Sequence, residues 1–227
     1  MPVSRKVAKP RRSGKKTSLK KTRKRNKKPI SFLPVQTGDE RVLALDTSST
    51  CVGWAVFDNG SLVQHGRFVQ QGHGHGEKMT NFRLWILGML AEFRPTHLIY
   101  EAPYRGRNGS IFGLLSKYAG VVDAAAFELF RAERAPECVV PAKDVKRAIG
   151  APKVLPGRGK RKRKSSDEQH SQNKRVVLTM VNERFGLGLK YEKNDKTKKV
   201  SQDDEADAIA LNWAWHLMYR SPEPVSE

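Results

Sequence analysis

The chain has 227 residues, a formal net charge of +20 and a sequence pI of about 10.2. It is long enough for one domain with a buried core, and its charge predicts a polyanionic partner: nucleic acid first, an anionic membrane surface as the alternative. The two cysteines, Cys51 and Cys138, form no CxxC pair, which predicts buried free thiols and excludes a disulfide framework. No stretch approaches the apolar length of a membrane span, so we expect no membrane partner.

Basic residues are concentrated in two segments outside the predicted core. Residues 1–38 contain no Asp or Glu, which predicts a disordered basic arm that either binds DNA or acts as a targeting signal. A second basic run predicts a loop at residues 152–170. We therefore place one folded domain at residues 39–221, followed by a C-terminal tail at 222–227.

Apolar segments separated by turn residues predict an α/β fold. The sequence Asp58-Asn59-Gly60 is typical of a turn between antiparallel strands. The predicted strands are residues 41–47, 52–58, 61–69, 97–101 and 137–140. The predicted helices are residues 77–93, 110–133, a short helix after Pro141, 172–185 and 203–219. This order predicts a mixed five-stranded sheet with helices on both faces.

Four acidic side chains stand at positions suited to a divalent cation. Asp46 and Glu101 each end an apolar strand, and Asp204 and Asp207 share one face of the last helix because they are three residues apart. A carboxylate at the end of a buried strand is unfavourable unless its charge is compensated, and Mg²⁺ prefers such oxygen ligands. Taken singly, each residue could instead belong to a turn, a loop or a helix cap.

The neighbours of these carboxylates leave one ambiguity. Asp203 is either the N-cap of the last helix, with Asp204 as the ligand, or the ligand itself. We expect Glu205 to face away into solvent. The histidines that we assign to a loop, to packing or to the surface are His73, His75 and His216. The sequence contains no P-loop, dinucleotide-binding motif or Ser-His-Asp arrangement.

Six segments together resemble one known family. They are residues 43–49, 53–56, 99–101, 140–146, 173–176 and 204–210. They are similar to the strand, acidic and basic motifs of the RuvC family of Holliday junction resolvases, in the ribonuclease H-like superfamily. Thr47-Ser48 replaces the family's usual Pro-Gly, and the basic loop and arm are additions. These departures would fit a divergent phage or viral member.

The resemblance implies a ribonuclease H-like fold and a homodimer that binds a four-way DNA junction and nicks two strands symmetrically. It implies two Mg²⁺ ions per active site, with Mn²⁺ able to substitute. The implied metal ligands are Asp46, Glu101, Asp204 and Asp207, and the implied catalytic lysines are Lys146 and Lys174. The expected DNA contacts are Tyr104, Arg105, Arg107, Lys117, Lys143, Lys146, Arg158, Lys160, Arg161, Lys162, Arg163, Lys164, Lys174 and Arg175.

Two alternatives remain open at this point. The chain could be another ribonuclease H-like nuclease that acts on RNA or on an RNA–DNA hybrid, or a non-catalytic nucleic-acid-binding protein on the same fold. We expect a cytoplasmic location in a bacterial or phage-infected cell, with a nuclear or organellar location left open. No motif indicates a sequence preference at the cut.

Deleting residues 1–38 should make DNA binding less sensitive to salt. Lysines and arginines that neutralise phosphates release counterions, so the slope of log K against log salt becomes shallower when they are removed. Fluorescence anisotropy of a labelled junction, measured over a salt series for the full and the truncated chain, gives the two slopes. Equal slopes would show that the arm does not contact DNA.

Overall fold

The computed structural model describes residues 40–104, 109–131, 138–152, 166–197 and 200–220. The predicted basic arm, the C-terminal tail and the central part of the basic loop lie outside the described residues. Cys51 and Cys138 are buried and form no disulfide bond with each other, as predicted.

The described residues form one sheet and its flanking helices. The strands are β1 (Arg41–Asp46), β2 (Cys51–Asp58), β3 (Ser61–Val69), β4 (His97–Glu101) and β5 (Val139–Val140). The helices are α1 (His75–Phe93), α2 (Gly109–Phe130), α3 (Ala142–Ala148), α4 (Ser166–Phe185) and α5 (Asp203–Tyr219). The strand order is β3-β2-β1-β4-β5, with β1 to β3 antiparallel and β4 and β5 parallel to β1. This confirms the predicted mixed five-stranded sheet.

The hairpin between β2 and β3 forms at the predicted turn. Asn59 and Gly60 both have positive φ, 49° and 80°, which is the conformation required by the tight turn that matches the twist of two antiparallel strands. Asn and Gly tolerate this region better than other residues.

The central strand β1 is apolar because both of its faces are covered. Val42, Leu43, Ala44 and Leu45 are all fully buried. Val42 and Ala44 belong to the core cluster shared with α3, α4 and α5, whereas Leu43 and Leu45 belong to the cluster shared with α1 and α2. A strand between two helical layers needs an unbroken apolar run rather than alternation.

Helix α5 lies very close to the sheet, and Gly53 on β2 permits this approach. A Cβ atom at Gly53 would lie 1.7 Å from the backbone oxygen of Asp204. Ala206, Ala208 and Ala210 of α5 are buried, and their small side chains also let this helix lie against the sheet.

Two helices differ from their predictions. α4 begins at Ser166, inside the predicted 152–170 loop and before the predicted start at residue 172. Its first turns are polar, so they carry no apolar periodicity to signal a helix. α1 begins at His75, two residues before the predicted start at residue 77.

Helix α2 is long and apolar enough over Gly109–Glu128 to cross a bilayer, judged by length and composition alone. The prediction that no stretch reaches this apolar length is therefore wrong. Tyr118, Val122 and Ala125 are fully buried in the cluster that also contains Phe82 of α1. One face of α2 thus packs within the fold.

Replacing Gly53 with alanine should destabilise the protein by about 1–3 kcal/mol, the usual range for overpacking, because the added methyl group collides with the backbone of α5. Gly120→Ala on α2 is the matched control, because nothing lies within 4 Å of its Cβ position and alanine favours a helix. Chemical denaturation measures both changes. A Gly53→Ala variant as stable as wild type would contradict the close approach.

Candidate functional site

The site begins at the ends of two neighbouring parallel strands. Asp46 is the last residue of β1 and Glu101 is the last residue of β4. Leu45 pairs with Tyr100 in the parallel register. The next residue of each strand is the carboxylate, so Asp46 and Glu101 lie at the same edge of the sheet. The strand order therefore brings together two acidic residues that are far apart in the sequence.

Helix α5 adds two more carboxylates at this edge. Asp46 pairs with Gly53 across β1 and β2, and the backbone of Asp204 sits directly over Gly53. Asp207 follows one helical turn later on the same face. The predicted convergence of two strand ends and one helix is the geometry observed.

The carboxylates are close enough to repel one another. Burial raises the pKa of Asp46 well above its usual range, and the charges of Asp207 and Glu101 raise it further. Burial, followed by the charge of Asp207, raises the pKa of Glu101 to about 7, although two lysine charges oppose the rise. Burial raises the pKa of Asp207 to about 6, with Lys174 opposing the rise and Asp204 adding to it.

Two lysines provide positive charge beside the cluster. Lys174 Nζ donates a hydrogen bond to Asp203 and lies 3.9 Å from Asp204 Oδ1. Burial would lower the pKa of Lys174, but the surrounding carboxylates, Asp207 first, raise it well above its usual value. Lys146 is exposed on α3, and its charge opposes the burial-driven rise in the pKa of Asp207.

Asp203 and Asp204 have different surroundings. The N-cap of α5 is Gln202, so the suggestion that Asp203 caps the helix is wrong. Asp203 is buried and accepts hydrogen bonds from Lys174 and from the hydroxyl of Ser201, the latter at 2.5 Å. Asp204 is also buried. Its negative charge raises the pKa of Asp46, although less than burial and the charges of Asp207 and Glu101 do.

Glu205 is buried, with its side chain 6% exposed, so the prediction that it faces solvent is wrong. Its carboxylate is hydrogen-bonded to His65 Nδ1, accepts a bond of 3.1 Å from Gln202, and lies 3.6 Å from Arg67 Nε. Burial would raise the pKa of Glu205, but these hydrogen bonds and charges hold it below its usual value. Thus α5 is fastened to β3 just beside the carboxylate cluster.

Sequence reasoning missed His65 and Arg67. They lie two residues apart on β3 and therefore share one face of the strand. Two basic side chains on one face of a half-buried strand are a signal for an acidic partner on the covering helix, and Glu205 is that partner.

The other predicted DNA contacts are spread over the surface. Tyr104 is 73% exposed just after β4. Lys143 is exposed on α3 and Lys117 on α2, and Arg175 on α4 stacks over the ring of Tyr191 at 5.5 Å. The predicted contacts that lie outside the described residues are Arg105, Arg107, Arg158, Lys160, Arg161, Lys162, Arg163 and Lys164.

His73 lies before α1, as predicted, whereas His75 is the first residue of α1 and not a loop residue. Both side chains are exposed. His216 stacks on Phe57 and lies 3.3 Å from Glu40, so it serves packing.

The donor chemistry of the cluster fits a hard divalent cation, because it consists of carboxylate oxygens whose mutual repulsion a cation would relieve. Within the described residues, no three His, Cys, Asp or Glu side chains already surround a common point as a closed metal site. The residues present therefore supply suitable ligands, although their side chains do not enclose an ion as they stand.

The sequence matches no protein-family model and no curated protein. Among solved structures, the fold is similar to that of Thermus thermophilus RuvC in complex with a Holliday junction substrate, with a TM-score of 0.54 and 19% identity over 79% of this chain and 96% of that one. A second Thermus thermophilus RuvC structure gives a TM-score of 0.48 at 21% identity, over 78% of this chain and 94% of that one. The yeast mitochondrial Holliday junction resolvase Ydc2 gives 0.46 at 14% identity, over 79% of both chains. The first similarity confirms the predicted ribonuclease H-like α/β fold.

The stability of the protein in EDTA should fall as the pH rises from about 5 to about 8, by an amount on the order of a few kcal/mol. Glu101 and Asp207 have folded pKa values raised to about 7 and about 6. Because the folded state binds these protons more tightly than the unfolded state, their contribution is present at low pH and is lost as each group ionises. Urea denaturation across this pH range measures the effect.

Asp207→Asn should make this pH dependence shallower, because asparagine does not titrate. Asp58→Asn is the control: its pKa is held below the usual value, chiefly by a hydrogen bond from Arg41. The stability that the Asp58 carboxylate contributes is lost only at acidic pH. Asp58→Asn should therefore leave the dependence of stability on pH unchanged above pH 5. Stability that rises with pH over this range would contradict the repulsion within the cluster.

Proposed function

We propose that this chain is a metal-dependent, structure-selective DNA endonuclease that resolves four-way junctions or other branched DNA by paired symmetric nicks. The observation that carries the proposal is the meeting of four carboxylates, one buried and three half-buried, from β1, β4 and α5, beside two lysines on a ribonuclease H-like fold. The similarity in fold to a RuvC bound to a Holliday junction substrate supports branched DNA as the substrate.

In this proposal the ions are Mg²⁺, with Mn²⁺ able to substitute and two ions in each site. The residues that would hold them are Asp46, Glu101, Asp204 and Asp207. When bound, such ions supply an activated water and stabilise the leaving oxygen of the phosphodiester. We favour Asp204 over Asp203 as a ligand, because Asp203 accepts hydrogen bonds from both Lys174 and Ser201, whereas Lys174 Nζ is 3.9 Å from Asp204 Oδ1.

The lysines have separate roles in binding the phosphate backbone. Lys174 is half-buried beside the carboxylates and fixed by Asp203, so it holds a positive charge where the scissile phosphate would lie. Lys146 is exposed beside the same cluster and is free to follow an incoming strand. Lys143 and Arg175, also exposed, extend this positive surface along the DNA backbone.

Paired nicks require two active sites, which a homodimer would provide. Large apolar side chains on α1 and α2 support such an assembly, because Leu84, Ile111 and Phe127 are 58%, 55% and 45% exposed. Burial of these side chains between two copies would remove apolar surface from water.

Asp46→Asn should abolish cleavage of a labelled four-way junction in Mg²⁺. We expect the cleavage rate to fall by more than about 100-fold, because removing a metal ligand should lower activity more than removing a residue that only supports a ligand. Junction binding in EDTA should be kept or strengthened, since a negative charge near the phosphate is removed. Glu92→Gln, an exposed carboxylate on α1, is the control and should cleave like wild type.

An RNA–DNA hybrid and a linear duplex should be incubated in parallel with the junction. Preferential cleavage of the hybrid would point to the ribonuclease alternative. Failure to cleave any substrate in Mg²⁺ or Mn²⁺ would favour a non-catalytic nucleic-acid-binding protein. Cleavage that persists in Asp46→Asn would show that the catalytic site lies elsewhere.

A further inference from the structure

The connection between α4 and α5, residues 186–202, borders the carboxylate cluster, and the function proposed above assigns it no role. Ser201 Oγ donates a hydrogen bond to Asp203, the residue that holds Lys174. The backbone oxygen of Ser201 accepts a hydrogen bond from Arg67 on β3. The end of this connection is therefore bonded directly to residues that surround the site.

Asp195 fixes the second half of the α4–α5 connection. Its carboxylate accepts hydrogen bonds from the hydroxyl and the backbone N–H of Thr197, at 2.6 and 3.1 Å. It also accepts bonds from the backbone N–H groups of Val200 and Ser201, at 2.6 and 2.8 Å. These bonds, that of the Thr197 hydroxyl first, hold the pKa of Asp195 below its usual value.

The first half of the connection is held by α4 and by the residue that caps α5. Asn182 of α4 donates a hydrogen bond to the backbone oxygen of Leu189 and accepts one from its N–H group, both at 3.0 Å. Lys190 O accepts a bond of 2.7 Å from the backbone N–H of Gln202, and Lys190 N donates one of 3.2 Å to Gln202 Oε1. A loop held at these points loses little conformational freedom when a partner binds, which favours binding.

Positive side chains cover the outer surface of the connection. Residues 190–200 contain five lysines and two acidic residues. Lys190, Lys193 and Lys196 are exposed, whereas the carboxylate of Asp195 is bonded to N–H groups of the connection itself. A fixed surface with this excess of positive charge fits a chain of phosphates.

Helix α4 separates this surface from the lysines of α3. Successive residues of a helix point about 100° apart, so Asn173, Lys174 and Arg175 face three directions. Asn173 lines a cavity beside α3, and Lys174 reaches Asp203. Arg175 lies over the ring of Tyr191 in the connection. The carboxylate cluster therefore has one positive surface on α3 and another on the connection.

We propose that the α4–α5 connection binds the sugar–phosphate backbone of DNA on the side of the scissile phosphate away from α3. The side chains that would contact phosphates are Lys190, Lys193, Lys196 and Arg175. The inference rests on the function proposed above for its ligand, a DNA strand held at the carboxylate cluster. Phosphate contacts fix the position of a strand and read no sequence. Two positive surfaces would thus hold the strand on both sides of the site and limit which phosphate enters it.

These contacts can be mapped without cleavage. A labelled four-way junction carries two adjacent neutral methylphosphonates, placed in turn at each step on either side of the crossover, and fluorescence anisotropy in EDTA measures Kd. Wild type should lose affinity about fourfold for some positions on each side, because each lost contact with an exposed lysine weakens binding about twofold. Lys193→Gln with Lys196→Gln, the connection variant, should lose this sensitivity on one side only.

Two variants with the same change in charge are the controls. Lys143→Gln with Lys146→Gln on α3 should lose sensitivity on the other side of the crossover. Arg94→Gln with Arg131→Gln removes two exposed charges that lie just after α1 and α2, outside both surfaces. This last variant should keep the wild-type sensitivity on both sides.

Unchanged sensitivity in the connection variant, or an equal loss on both sides, would overturn the inference. It would also be overturned if wild type were sensitive on one side only, or if the variant of Arg94 and Arg131 behaved like the connection variant. Cleavage of the unmodified junction in Mg²⁺ is measured in parallel. Cleavage by wild type with unchanged sensitivity in the connection variant would refute the inference but keep the nuclease. No cleavage by wild type, with the one-sided loss observed, would refute the nuclease but keep the binding surface.

Discussion

Repulsion among buried carboxylates is the constraint on which the arrangement of this fold depends. Asp46, Glu101 and Asp207 meet in a space with little solvent, and their pKa values are raised in consequence. A fold selected for stability alone would replace such groups with apolar ones. The neighbouring residues instead preserve the cluster, since Gly53 lets α5 approach it and Lys174 partly neutralises it.

The three acidic residues in the first turn of α5 have different surroundings. Asp203 holds Lys174 of α4, and Glu205 is held by His65 and Arg67 of β3. Asp204, between them, lies at the carboxylate cluster, 3.9 Å from Lys174 Nζ. The protein's own contacts therefore hold the first turn of α5 on both sides. Such prior positioning is what a catalytic or binding site requires of its supporting residues.

The sequence was sufficient to predict the sheet and to place Asp46 and Glu101 at the ends of two strands, because apolar strands that end in an acidic residue are a local signal. It was insufficient for Glu205, because the local pattern indicates only that this residue lies beside the presumed ligands. Its burial depends on His65 and Arg67, which are distant in the sequence and near only after β3 pairs with β2. The start of α4 was missed for a related reason: its polar first turns have no apolar face.

The most direct test of the central claim is a titration with Mn²⁺, in which electron paramagnetic resonance measures the free ion. The account predicts saturable binding to the wild-type chain near neutral pH, accompanied by proton release, because Glu101 and Asp207 must lose their protons to act as ligands. It also predicts that Asp46→Asn binds Mn²⁺ much more weakly. No saturable binding by wild type, or equal binding by Asp46→Asn, would contradict the account.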